Sequence, residues 1–321
     1  MTGRAQARTV PYLFVAPAVT LMVVILLVPV AIAALLSFTD YSLGNADFSF
    51  VGIDNYEDIF SRRTYAKMIA SSLIYVGVVV PASIGLGLGS ALLISSLRFA
   101  QDFYKAVFFL PTMAALLAMA IVWEFMLNPT IGSVNALLSA GCASPFWHGL
   151  LSGAFLGVDP ATSWYGNACA TGFPLWLGDR AYALGSLCFI GVWQAFGFNM
   201  VLYLAGLTAI PRELYHAAEM DGAASAWDRF RLVTWPLLGP TTVFVVTITT
   251  IRSFQVFDSV EALTAGGPSK STYVMMYAIY EKAIRQNLIG IGAAITVVFL
   301  IFVMAVTLIQ RHYVEKRVHY S

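Results

Sequence analysis

Six apolar runs mark the chain, at residues 12–36, 71–96, 106–127, 183–207, 237–257 and 288–310. Each can form a helix of about 20 residues, the length that crosses the hydrocarbon core of a bilayer. Glycine and proline recur inside them (Pro81, Gly85, Gly87 and Gly89 in the second), as spanning helices tolerate. The pattern predicts an all-α integral membrane protein of six transmembrane helices, filling residues 1–321 as one domain. The first run follows Arg4 and Arg8 and imitates a signal peptide. Its apolar stretch outlasts the roughly 7–15 residues of a signal core, so it reads as a spanning anchor.

Two connecting segments are larger than connection requires. Residues 128–182 are poor in charge and rich in Gly, Ser and aromatic residues. Phe146, Trp147, Phe155, Trp164 and Tyr165 suggest interfacial or re-entrant pieces at headgroup level. Residues 209–236 differ. Pro211 starts a helical stretch to Met220, Gly222 stops it, and a second helical piece ends at Pro236. Such a helix-turn-helix suits docking in a partner's groove, or, alternatively, resting on the membrane surface.

Composition narrows the class. The 321 residues are 59% hydrophobic and 11% charged, against about 25% charged in soluble domains. A net charge of +1 gives no footprint for nucleic acid. The three cysteines have no metal-ligand spacing. With the N-terminus inside, the inner segments 1–11, 97–105, 209–236 and 311–321 carry ten basic residues, against seven on the longer outer segments. The positive-inside rule then places both termini in the cytoplasm of a bacterial inner membrane.

Residues 213–236 resemble the loop of binding-protein-dependent ABC importer permeases that reads Glu-Ala-Ala, then Asp-Gly-Ala, then a late Leu-Pro. Ala217-Ala218, Asp221-Gly222-Ala223, Phe230 and Pro236 fit. The family's first Glu is His216 here, Trp235 precedes the late proline, and Glu219 stands one turn on, able to replace that acid. Other pieces are similar to the carbohydrate-uptake branch: Pro11–Pro17, Ser37–Tyr41, Phe50–Tyr56, Leu110-Pro111, Asn128-Pro129, Trp193-Gln194, Ser253–Asp258 and Gly266-Gly267-Pro268. Together they cover nearly the whole chain except an insertion near 143–173. The C-terminal stretch His312–Tyr320 is similar to the A-type permeases of glycerol-3-phosphate importers.

The resemblance implies a type I ABC importer permease fold with a coupling helix between spans four and five. It implies a heterodimer with a second, related permease and two cytoplasmic ATP-binding subunits. An extracytoplasmic binding protein would deliver a sugar, polyol or glycerol-phosphate-like solute. ATP and Mg would sit on the partner subunits, and the chain itself would bind no cofactor or metal. Its nearest string to a phosphate-binding loop, Gly266–Ser271, has the wrong spacing. His216, Ala217, Ala218, Glu219, Asp221, Gly222, Phe230 and Pro236 would couple to the ATPase. A membrane-embedded enzyme is the rival class; His148, His216, His312 and His319 all lie outside the six runs, which argues against it, and neither it nor a channel explains the docking loop.

Within the spans, Trp193, Gln194, Phe198, Asn199, Thr249 and Ser253 match positions that line the sugar in maltose-type permeases. Gln255 extends the polar stripe of the fifth span. Amides also bridge membrane helices, so packing is the competing role for Gln194 and Asn199. Arg252 either pairs structurally, with Glu124 at similar depth, or offers its planar charge to an anionic group of the solute. Cys142 and Cys169 share the outer segment, where a bridge or two free thiols are both open; Cys188 lies in a span.

Overall fold

The computed structural model describes residues 14–45, 47–97, 99–153, 159 and 163–315. Arg4, Arg8, Phe155, His319, the first residues of the Pro11–Pro17 motif and most of the C-terminal motif lie outside the described residues. In chain order the helices are α1 (Phe14–Leu36), α2 (Asp54–Ser61), α3 (Arg63–Ser96), α4 (Gln101–Met113), α5 (Leu116–Met126), α6 (Ser133–Ala143), α7 (Pro145–Leu151) and α8 (Trp164–Thr171). They continue with α9 (Ala183–Thr208), α10 (Arg212–Met220), α11 (Ala226–Arg229), α12 (Trp235–Leu237), α13 (Gly239–Phe254), α14 (Asp258–Leu263), α15 (Met275–Tyr280) and α16 (Ile289–Glu315).

Five stretches are long and apolar enough to cross a membrane: α1, α3, α9, Gly239–Leu263 and Ile289–Gln310. The run at 106–127, expected as one helix, is instead the pair α4 and α5, bent by 99°. Counted as one broken span, the pair makes six. The break has a local cause. Ala114 and Ala115 are extended, with ψ of 142° and 125°, and Pro111 removes a backbone donor from the last turn of α4. Thr112 Oγ1 holds the bend by donating to the Gln194 carbonyl of α9 at 3.0 Å.

The chain divides into two compact units, residues 1–66 with 278–302 and residues 67–277 with 303–321. In the first, the Ser37–Tyr41 and Phe50–Tyr56 motifs fold onto one another. Asn55 Nδ2 donates to the carbonyls of Ser37 and Thr39, both at 2.9 Å. The hydroxyls of Ser37 and Tyr56 are 2.7 Å apart, and Asp40 accepts from the Ser49 amide at 2.6 Å. These motif residues hold a turn rather than a ligand.

In the second unit, α9 is the central helix, packed against α4 and α13. Gly197 permits the closest crossing: a Cβ there would lie 1.9 Å from the Phe108 carbonyl oxygen of α4. Ala91, Met200, Tyr203, Leu238 and Val245 form the buried core below it. Many outward residues of α1 and α3 stay apolar and exposed, as suits lipid or a second spanning subunit.

The segment between α5 and α9 has a core of its own. Cys142 and Cys169 form a disulfide across 27 positions, tying α6 to α8. Tyr165, which the sequence suggests is interfacial, is buried instead and donates to the Leu138 carbonyl at 2.7 Å. Trp176 Nε1 donates to Asn135 Oδ1 at 2.7 Å, and Trp164 Nε1 to Tyr182 Oη at 2.9 Å. Closing a loop of this length stabilises by roughly 3 kcal/mol in the chain-entropy model. Neither thiol should alkylate in intact unreduced protein, and both should do so after reduction; rapid alkylation without reductant rules the bridge out.

Candidate functional site

Four helices of the second unit, with residues 255–259, line an open cavity of about 440 Å³. On α9, residues 191, 194, 195 and 198 face it, an i, i+3, i+4, i+7 stripe. On α13, residues 249, 252 and 253 do the same. The end of α4 contributes Thr112 and Ala114, α3 contributes Tyr75 and Val79, and Gln255 to Ser259 close one end. Polar side chains at helical spacing on otherwise apolar spans are costly toward lipid, so they turn inward to a cavity or a partner.

Seven of the eight solute-site candidates line this cavity: Gln194, Phe198, Asn199, Thr249, Arg252, Ser253 and Gln255. Trp193 does not. It falls about 100° around the helix from Gln194 and packs toward α5, its ring 5.3 Å from Trp123. Tyr75, Thr112 and Asp258 line the cavity without having been singled out. Asp258 sits in a recognisable motif, whereas Tyr75 and Thr112 carry no signal that periodicity alone could separate from packing.

The candidates divide further by what their polar atoms already do. Asn199 is fully buried. Its Nδ2 donates to Ser83 Oγ of α3 at 3.2 Å, and its Oδ1 accepts from Thr249 Oγ1 of α13 at 2.8 Å. That network ties three spanning helices together, so Asn199 and Thr249 build the wall. Among the described residues, the side chains of Gln194, Arg252, Ser253 and Gln255 make no hydrogen bond or ion pair within the protein. Arg252 is not paired with Glu124; its guanidinium carbon lies 4.1 Å from the centre of the Phe198 ring. The cavity thus offers a fixed cation on an aromatic face, with amides, a hydroxyl and the Asp258 side chain also on its lining.

The segment between α9 and α13 is built separately. Helix α10 ends in a Schellman motif: the Ala223 amide donates to the Ala218 carbonyl at 2.9 Å, and the Gly222 amide to the Glu219 carbonyl at 3.2 Å. That motif needs a left-handed residue, and Gly222 has φ +94°. The spacing Ala218–Gly222–Ala223 is therefore the motif's own geometry. Ser225 then starts α11 with a capping box, accepting from the Asp228 amide at 3.0 Å. The Asp228 carboxyl is held below its ordinary value, chiefly by the Ser225 hydroxyl and next by the Ser225 amide.

Glu219 joins the two arms through an ion pair with Arg229, and His216 Nδ1 lies 3.8 Å from its other oxygen. Glu219 is the acid that stands one turn after position 216. Phe230 stacks on Trp227 and meets Trp235 at a tilt, with ring centres 5.5 and 6.0 Å away. Pro236 lies in the first turn of α12. Tyr215 bonds Thr234 at 3.0 Å and fixes α10 to the core, leaving Leu214, Met220 and Trp227 exposed.

Comparison with known proteins places these features. Residues 60–320 match the family described as the binding-protein-dependent transport system inner membrane component. The probable ABC transporter permease protein YurN of Bacillus subtilis (strain 168) is 29% identical, over 95% of this chain and 96% of its own. The sn-glycerol-3-phosphate transport system permease protein UgpA of Agrobacterium fabrum is 29% identical, over 98% and 97%. The probable starch degradation products transport system permease protein AmyD of Thermoanaerobacterium thermosulfurigenes is 26% identical, over 95% and 94%. A chain of a bacterial alginate ABC transporter, solved in complex with its alginate pentasaccharide-bound periplasmic protein, superposes with a TM-score of 0.75 at 18% identity, over 97% of this chain and 96% of that one.

Proposed function

Because the chain belongs to the family of binding-protein-dependent transport system inner membrane components, we propose that it is the permease subunit of an ATP-driven importer whose solute carries both hydroxyls and an anionic group, such as a glycerol phosphate, a glycerophosphodiester or an acidic sugar. The observation that carries this reading is the polar cavity between spanning helices. There an unpaired Arg252 lies over Phe198 beside Gln194, Ser253 and Gln255. Phosphate and carboxylate match a guanidinium fork, and amides and hydroxyls suit a polyol. UgpA relatives are named for glycerol 3-phosphate. The AmyD relative, named for starch degradation products, favours a neutral oligosaccharide as the second reading.

The orientation reading gains support from the disulfide, which belongs in an oxidising compartment. With the insertion outside, the single span α9 carries the chain across, and the α10–α11 segment lies in the cytoplasm. There its exposed Met220 and Trp227 can enter a groove on an ATPase subunit. A second permease completes the pathway, and an extracytoplasmic binding protein presents the solute. ATP closure and solute each favour one of two global states, which couples them. The broken α4–α5 span provides an element that rearrangement can use.

The test is ATP hydrolysis by the permease assembled with its partner subunits in proteoliposomes. Solute-loaded binding protein should raise the rate several-fold and drive solute inward. Equal hydrolysis with and without it, and no uptake, would overturn the proposal.

A further inference from the structure

The lining of the cavity carries two opposite charges, and they do not meet. Among the lining residues Arg252 is the one cation and Asp258 the one anion. Neither joins an ion pair, with the other or with any described residue. Arg252 lies in the last turn of α13, over the Phe198 ring. Asp258 comes after the Gln255 cap of that helix and opens α14. A negative charge in a first turn favours a helix, which is the local role open to Asp258. Yet Phe257 holds the cap position without a side-chain hydrogen bond, and the Asp258 side chain accepts from no described residue. Both charges are therefore left for what enters the cavity.

We propose that Asp258 determines specificity at the end of the site away from Arg252. Its carboxylate accepts from the hydroxyls of a solute whose anionic group lies at Arg252, and it repels any solute with a second anionic group there. Asp258 takes this role only if Arg252 holds the anion, as proposed for the site. It then narrows the substrate class to solutes anionic at one end alone. A carboxylate only accepts, through two oxygens, so two neighbouring hydroxyls can donate to it together. Ser253, Gln255 and Ser259 on the same lining add further partners for hydroxyls. A second phosphate or carboxylate would face Asp258 with no cation left on the lining to offset it. The cavity walls strengthen that repulsion by excluding part of the water that would screen it. Repulsion of the wrong solute leaves the contacts with the right one intact. A glycerol phosphate, with a vicinal diol opposite its single anionic group, fits. An oligosaccharide with a carboxylate on every sugar does not.

The probes are glycerol 3-phosphate and 3-phosphoglycerate, in which a carboxylate replaces the terminal hydroxymethyl group. Each is titrated against the permease assembled with its partner subunits in nanodiscs. ATP and binding protein are left out, so selection by the binding protein does not enter. Wild type should bind 3-phosphoglycerate about tenfold or more weakly than glycerol 3-phosphate. Asp258→Asn should move the two in opposite directions, weakening glycerol 3-phosphate and strengthening 3-phosphoglycerate, until they differ by about threefold or less. Asp258→Glu keeps the charge and should keep the discrimination. Asp258→Ser is the second neutral variant, should Asp258→Asn not assemble. A role confined to α14 would move both compounds alike in the neutral variants, and that result overturns the proposal. Equal binding of the two by wild type, or binding of neither, overturns it as well. Arg252→Gln tests the anion site separately and should weaken both compounds. If it does so while wild type fails to discriminate, the Asp258 assignment alone falls. If it changes neither affinity, the reading of Arg252 falls and takes the Asp258 assignment with it.

Discussion

Replacing Gly222 by valine should reduce solute uptake at least tenfold and remove solute-stimulated ATP hydrolysis, while the protein still inserts at normal abundance. The reason is backbone conformation alone. Gly222 has φ +94°, and nothing lies within 4 Å of the Cβ that a substitution would add. Valine there costs on the order of 1–3 kcal/mol because a branched side chain is strained at positive φ. The chain escapes that strain by giving up the Schellman bonds from Gly222 and Ala223. Helix α10 would then end elsewhere, and the Glu219–Arg229 pair that joins it to α11 would part. Asparagine tolerates the left-handed region, so Gly222→Asn should keep much of the activity. That contrast separates a turn requirement from general intolerance at the site. Normal uptake and normal stimulation in Gly222→Val would sink the coupling role.

The spans and this loop were legible because their signals are local. A run of about 20 apolar residues and a Gly at a helix stop depend on short stretches of chain, and both map onto observed helices or turns. Failures came where a distant contact decides. Pro111 weakens the 106–127 run locally, but a proline inside a spanning helix is tolerated as often as not, and the bend at Ala114 and Ala115 is held by Thr112 reaching Gln194, 82 residues on. Trp193 and Gln194 are adjacent in sequence, yet the helix turns one to Trp123 and the other to the cavity. Asn199 reads equally as a ligand or a bridge until Ser83 and Thr249 are found on either side of it. Tyr165 and Trp147 are both aromatic residues of the same charge-poor insertion, and only packing sends the first inward and leaves the second exposed.

Arg252 carries the second large effect. An arginine inside a span costs at least about 2.5 kcal/mol when unpaired at the bilayer centre, so its guanidinium should find an anion, a ring or water. Glu124 is not its partner, and the Phe198 ring at 4.1 Å orients the guanidinium without neutralising it. A solute anion entering the cavity would meet a preoriented fork. Hydrogen bonds to charged groups contribute about 1.5–3 kcal/mol each, so Arg252→Gln should lower uptake of an anionic solute by roughly 10- to 100-fold at unchanged membrane abundance. Arg252→Lys keeps the charge and loses the fork, and should fall between the two. Asn199→Leu provides the structural comparison: it breaks the Ser83–Asn199–Thr249 bridge and should lower protein abundance together with transport of any solute. Arg252→Gln should instead spare the basal ATPase of the assembled complex. Uptake unchanged in Arg252→Gln, or a cognate binding protein that takes only neutral sugars, removes the anion role and leaves Arg252 as a residue that braces Phe198 on the cavity wall.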